Sequence, residues 1–178
     1  MRPDRDEYFL RMAELVATRS TCLRRHVGCV LVNARGHVLA TGYNGVAAGL
    51  PHCNQETKTF QLGQVIECNE PGGISRVVYP SFEYEHMCPG ANSPSGTNLD
   101  GCEAIHGEEN ALLQCRDVWE IETCYCTTAP CFSCLKKLMN TSCSRIVFLD
   151  DYPQSIKSKD LWLRSPNERK WMHYPKSW

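Results

Sequence analysis

The sequence predicts an α/β protein with a mixed sheet covered by helices. Three observations carry that reading: an amphipathic helical opening, a hairpin signal after it, and strands alternating with helices through the second half of the chain. Tyr8, Phe9, Met12, Leu15 and Val16 fall near helical spacing, which predicts a helix from about Asp4 to Thr18. His26 to Asn33 is short and β-branched, so it reads as a strand. Arg35-Gly36 turns the chain, and His37 to Tyr43 returns as the second strand of a hairpin. Gly42-Tyr43-Asn44-Gly45 closes it with residues that tolerate positive φ. Later segments read as a helix from about Cys102 to Cys115, a strand at Glu122 to Thr127, a helix from about Cys131 to Asn140 and a strand at Arg145 to Leu149.

Between these halves the periodicity dissolves. The chain of 178 residues has the length of one domain, 1–178, with an insertion at 50–101 and a polar tail at 153–178. Pro71-Gly72-Gly73 and Pro94-Ser95-Gly96 punctuate the insertion, and Val77-Val78-Tyr79 reads as a short extended piece. A structureless stretch of that length needs something to order it. Cys53, Cys68, Cys88 and Cys102 lie along it, so metal clamping is the natural candidate. The tail reads as a short helix and an extended end packed back on the body, without a clear final helix–strand pair.

Composition narrows the function classes. The chain is 42% hydrophobic and 22% charged with a net charge of −1, which is globular and lacks the basic surplus of a nucleic-acid binder. No window approaches the run of about 18 apolar residues that spans a bilayer, and no apolar leader follows the first residues. A cytoplasmic protein is therefore expected, in the host cytoplasm if the source is viral. Twelve cysteines are many for that compartment, and they favour metal binding or catalysis over disulfides.

The chemistry concentrates at two predicted helix starts. His106 with Glu108 opens one, and Pro130-Cys131-Phe132-Ser133-Cys134 opens the other. Cys131 and Cys134 are three residues apart and share a helix face. Side chains of first helical turns lean towards the N-terminus, which lets His106 and Glu108 reach the same space. Helix N-termini also favour the thiolate a metal needs. Three protein ligands leave a fourth tetrahedral position for water, the layout of a catalytic zinc. Such a zinc lowers the pKa of water from about 15.7 to about 7, roughly 12 kcal/mol of help in making hydroxide. A non-ligand carboxylate must then carry protons, and Glu108 is placed for it. Alone, a C-x-x-C motif is often half of a structural zinc site and a histidine at a helix start is usually a cap. Their joint order, with Pro130 in front, separates this pattern from both.

The H-x-E and P-C-x-x-C pair is the signature of zinc deaminases. The sequence resembles the cytidine deaminase superfamily, and more closely the deoxycytidylate (dCMP) deaminases of phages, bacteria and archaea. The resemblance runs from about Asp6 to Tyr152, through Ser20 to Gly28, Thr41-Gly42-Tyr43-Asn44-Gly45, Gly49-Leu50-Pro51-His52-Cys53, Pro94-Ser95-Gly96 and both helix starts. It implies a three-layer α/β/α fold and hydrolysis of dCMP to dUMP and ammonia. His106, Cys131 and Cys134 would hold zinc, zinc-bound hydroxide would attack C4, and Glu108 would carry protons to N3 and to the departing amine. Asn44 would contact the sugar, with Tyr152 and Arg24 handling substrate and phosphate. The family also implies a homo-oligomer, a hexamer, with dCTP and dTTP as effectors near Gly42 and Tyr43.

A second, structural zinc follows from the same resemblance, held by Cys22, Cys53, Cys88 and Cys102, with Cys68 and His86 as competing ligands. Cys29, Cys115, Cys124, Cys126 and Cys143 read as small core residues. Three departures from the family stand out: Gly107 where alanine is usual, the long stretch from Gln55 to Met87, and the missing signal for the last strand. The rival readings are a deaminase of a modified or differently phosphorylated deoxycytidine nucleotide (5-methyl- or 5-hydroxymethyl-dCMP, dCTP) and a catalytically silent nucleotide-binding zinc protein. Glu108 speaks against the second, since a structural site has no need of that carboxylate.

Overall fold

A computed structural model describes residues 2–54, 65–70, 73–78, 88, 90, 93, 94, 97 and 101–178. Helix α1 (Arg5–Ala17) is capped by Asp4, whose carboxylate accepts from the Glu7 N–H at 2.8 Å. Strands β1 (Gly28–Val32) and β2 (Val38–Tyr43) form the expected hairpin, and β3 (Gly45–Val46) follows. Then come β4 (Val65–Glu70), β5 (Gly73–Val78), β6 (Ala104–Ile105) and α2 (Gly107–Gln114). The chain continues through β7 (Thr123–Thr128), α3 (Phe132–Met139), β8 (Arg145–Asp150), α4 (Ser155–Leu163) and β9 (Lys170–His173).

The main sheet has the order β2-β1-β7-β8-β9. Strand β1 runs antiparallel to both neighbours, whereas β7, β8 and β9 are parallel, so the sheet is mixed as expected. Its central strands are buried on both faces, and their alternate residues build two cores. Cys29, Leu31, Cys124, Cys126, Ile146 and Phe148 share one core with Ala111 of α2, Leu135 and Leu138 of α3 and Trp162 of α4. Val30, Val32, Tyr125, Val147 and Leu149 share the other with Phe9, Leu10 and Ala13 of α1. The result is three layers. Two glycines set how closely the helices approach: a Cβ on Gly28 would lie 2.0 Å from the Ala13 carbonyl oxygen, and one on Gly42 would lie 2.2 Å from that of Gly107. An ion pair ties the layers together, with Arg145 Nη1 and the Tyr125 hydroxyl each donating to Asp6 Oδ1 at 2.8 Å.

Three expectations are corrected and a fourth is met in part. The helix expected from Cys102 begins only at Gly107, because the backbone of Ala104 and Ile105 pairs with Val46 and Gly45 instead. Cys102 is therefore a loop residue. Strands β4 and β5 pair antiparallel inside an insertion read as structureless. The expected Val77-Val78-Tyr79 piece is the end of β5, with Tyr79 outside the described residues. The tail also supplies the helix–strand pair it seemed to lack. Strand β9 extends the sheet beside β8, and beyond it the Tyr174 hydroxyl and Trp178 Nε1 donate to Asp4 and Glu14 of the α1 region, both at 2.9 Å. Short polar strands at a sheet edge carry too little periodicity to be read from sequence.

The base of the insertion is the pairing of β3 with β6. The chain leaves and re-enters the body at one point, which places Cys53, Cys88 and Cys102 around Ala104 and Val46.

Candidate active site

Helices α2 and α3 both begin beside the carboxyl end of β7, where ligands bind in open α/β sheets. Each starts with a metal-ligand type as its N-cap, His106 for α2 and Cys131 for α3. Strand β7 delivers the second directly, since Thr128 ends the strand and Ala129-Pro130 leads into the helix. Pro130 has no backbone N–H to satisfy at that junction. Cys131 Sγ lies 3.3 Å and Cys134 Sγ 3.5 Å from His106 Nδ1, and all three ligand atoms are within 4.8 Å of one another. Zinc–sulfur and zinc–nitrogen bonds at tetrahedral angles set such atoms about 3.6 Å apart. The donor set fits one zinc ion, and a thiolate is ready: the Cys134 thiol, then His106, hold the Cys131 pKa down to about 4.

Glu108 lies one residue into α2 and is only 3% exposed. Burial pushes its carboxyl up to about 7; the charge of His106 opposes this and that of Cys131 adds to it. A carboxyl poised near neutrality can both accept and donate a proton. His106 is itself raised to about 9, chiefly by its hydrogen bond with Cys131.

Above these groups opens a pocket lined by Arg24, Arg25, Val27, Asn44, His106, Glu108, Thr128, Ala129, Cys131 and Tyr152 among others. The structure thus brings His106, Glu108, Cys131, Cys134, Asn44, Arg24 and Tyr152 to one place. Several are also engaged in holding the pocket. Asn44 Oδ1 accepts from the Ser20 hydroxyl at 2.7 Å and the Val27 N–H at 2.8 Å, while Nδ2 donates to the Arg25 carbonyl at 2.8 Å. Among the described residues, the second N–H of Nδ2 has no partner. Arg24 Nη2 donates to the carbonyls of Pro94 and Thr97 at 2.6 and 2.9 Å, so this side chain ties the insertion to the pocket rim. Burial, then the charges of Cys131 and Glu108, raise the Tyr152 pKa, which keeps its hydroxyl a hydrogen-bond donor. Arg25, Val27, Thr128 and Ala129 went unassigned in the sequence. Arg25 Nη1 reaches the Thr128 hydroxyl at 3.5 Å, and the Thr127-Thr128-Ala129 run before Pro130 was the signal for that wall.

Gly42 and Tyr43 do not line this pocket. Gly42 faces α2 at close range, and Tyr43 accepts from Asn110 Nδ2 at 2.8 Å through its carbonyl.

Of the expected structural site, Cys53, Cys88 and Cys102 pack together at the base of the insertion, but among the described residues the donor groups within 4.8 Å of one another are the Cys29–Cys124–Cys126 and His106–Cys131–Cys134 sets and do not include them. Hydrogen bonds join Cys53 to Cys88 and Cys88 to Cys102, and the charge of Cys22 acts on Cys53 and Cys102. Burial, then its cysteine neighbours, push Cys53 up to about 12. Burial acts on Cys88 too, but backbone N–H donors of Glu103 and Gly90 and the thiols of Cys102 and Cys53 outweigh it and lower its pKa. His86 lies outside the described residues, as does the side chain of Cys68.

A three-layer α/β protein with a three-donor metal cup at the strand ends is the class this geometry defines. Residues 3–150 match the family model described as the cytidine and deoxycytidylate deaminase zinc-binding region, and the chain belongs to that family. It is 37% identical over 160 residues to the deoxycytidylate deaminase of Saccharomyces cerevisiae, covering 89% of this chain and 41% of that one. A Schizosaccharomyces pombe deoxycytidylate deaminase is also 37% identical, with 38% of its length covered, so the chain spans about two fifths of these yeast relatives. The deoxycytidylate deaminase of Mycobacterium phage D29 is 36% identical over 148 residues, covering 83% of this chain and 95% of that one. The fold resembles that of a dCMP deaminase from the cyanophage S-TIM5 crystallised with dCMP and dUMP, with a TM-score of 0.60, 21% identity, and 97% and 98% of the two chains covered.

Proposed function

We propose that this protein hydrolyses dCMP to dUMP and ammonia, with zinc held by His106, Cys131 and Cys134. The observation that carries the reading is Glu108, a buried carboxyl with a pKa near 7 beside three convergent metal donors. The names of the yeast and phage relatives supply the substrate class. When bound, the zinc would supply Lewis acidity that makes hydroxide available from water near neutral pH. The chain's own residues do the rest. Glu108 takes up the proton, hands it to ring N3 as C4 becomes tetrahedral, and passes a proton to the amine that leaves. Its burial excludes bulk water from that shuttle. Asn44 offers its remaining N–H to the sugar, and Arg25 and Thr128, with Arg24 at the rim, face the phosphate. Tyr152 closes the side of the pocket.

A second zinc on Cys22, Cys53, Cys88 and Cys102 belongs to the same proposal. Four protein donors leave no open position, and such a site would fasten the insertion to the active-site loop. Metal analysis of the purified chain should return two zinc ions; one would remove the structural site. A homohexamer answering dCTP and dTTP at the Gly42–Tyr43 turn also accompanies this reading, and sizing with and without nucleotide tests it.

The decisive assay measures ammonia release from dCMP, dCTP, cytidine, 5-methyl-dCMP and 5-hydroxymethyl-dCMP. Turnover is expected on dCMP. Turnover only on a 5-substituted nucleotide or on dCTP would move the substrate, and none on any cytosine nucleotide would remove the proposal.

A further inference from the structure

Three cysteines meet at a place the deamination reading does not use. Cys29 of β1 stands opposite Cys126 of β7, and Cys124 lies two residues earlier on the same face. Cys124 Sγ is 3.5 Å from Cys29 Sγ and 3.4 Å from Cys126 Sγ, and all three sulfurs lie within 4.8 Å of one another. Each residue is 0% exposed and none is in a disulfide. They sit in the middle of the sheet, in the core shared with α2 and α3. A buried cysteine is ordinarily a small apolar filler. Three whose sulfurs converge form a donor set as well.

We propose that Cys29, Cys124 and Cys126 form a further ligand site of the chain, an all-sulfur cup for a soft trivalent ion of the arsenite type. Softness follows from the donors, since sulfur alone disfavours magnesium, calcium and manganese. Charge then chooses among soft ions. Three thiolates around a monovalent or divalent ion leave a net negative charge in a water-free core, which is costly to bury. Around a trivalent ion they leave none. The sulfurs are also partly prepared. Hydrogen bonds from Cys126 and then Cys29 lower the Cys124 pKa and so favour its thiolate.

Loading balances without a change of oxidation state. Three arsenic–oxygen bonds of arsenous acid break and three arsenic–sulfur bonds form. Two hydroxyl groups leave as water with the thiol protons, and the third leaves as hydroxide, which solvent protonates. Entry requires local opening of the helical layer over the sheet, so uptake is slow compared with that of an exposed dithiol.

The test incubates the zinc-loaded full-length chain with sodium arsenite, then measures bound arsenic after dialysis and its sulfur shell by X-ray absorption. The wild type is expected to take up one slow equivalent with three sulfurs around arsenic and its zinc content unchanged. Cys29→Ala, Cys124→Ala and Cys126→Ala should each lose that equivalent, while Cys115→Ala keeps it. Retention by any of the three variants overturns the proposal, as does the absence of a slow equivalent in the wild type. Should a variant fail to fold, the wild-type spectrum decides alone. Fewer than three sulfurs, or arsenic gained only as zinc is lost, overturns the site.

Discussion

Two three-donor clusters lie close together along one strand and its following helix, and they differ in everything but their sulfur. Cys124 and Cys126 sit inside β7, fully enclosed, with Cys29 across the ladder. Cys131 and Cys134 sit just past the end of the same strand, at a helix start, with His106 supplied by a second helix start. The cup at the strand end opens on a pocket with the Glu108 carboxyl beside it; the cluster in the strand is enclosed, although the charge of Glu108 still acts on Cys29 and is itself acted on by Cys124. Ligand type alone does not make an active site. Position relative to the end of the strand does, because helix N-termini there converge on space a substrate can enter.

The largest effect that could break this contrast is expected at Cys134. Cys134→Ala should lose the active-site zinc and reduce turnover more than about a thousandfold, measured by metal analysis and ammonia release. Full activity would make the cup structural. Glu108→Gln should keep its zinc and lose at least about a hundredfold in rate. An unchanged rate there means that another group carries the proton.

Smaller effects sharpen the contrast from the enclosed side of the sheet. Asp6→Asn should cost about 2 kcal/mol, since it breaks charge-assisted hydrogen bonds to Arg145. Burial acts to raise the Asp6 pKa, but Arg145 and Tyr125 outweigh it and hold it below its ordinary 3.8. Stability from this carboxylate is therefore fully present above that value and lost as pH falls through the lower folded value. The gap between wild type and variant in urea melts should close in that acid window and stay constant near neutrality. Cys124→Ala is expected to cost least, about 1 kcal/mol for one missing sulfur in a packed layer, with the catalytic zinc retained. Loss of zinc in that variant would join the two clusters into one functional unit.

Much of this was legible in the residues. The hairpin, helix α1 and the alternating second half follow from local periodicity, because each segment's pattern answers to its immediate neighbours. The trio His106, Cys131 and Cys134, with Glu108, was legible because two helix starts carry their ligands at fixed short spacing. The edge features were not. Cys102 read as helical because nothing local announces that Ala104 and Ile105 will pair with a strand some sixty residues back. Arg24 read as a phosphate ligand, and its ties to Pro94 and Thr97 appear only when the insertion folds back on the loop.

By itself, then, the sequence pointed to a mixed sheet covered by helices and to two helix starts carrying metal-ligand residue types, since both rest on periods and spacings within single elements. Tertiary structure alone decided that Asn44 is three-quarters occupied in holding its own loop and that Thr128 and Arg25 form a pocket wall. It also decided that three cysteines read as separate core fillers share one point in space. The physical reason is range: the partners of Asn44 lie 17 to 24 positions back, and those of Arg25 and Cys29 lie 103 and 95 positions on, where register set by long-range pairing leaves no mark on either neighbourhood.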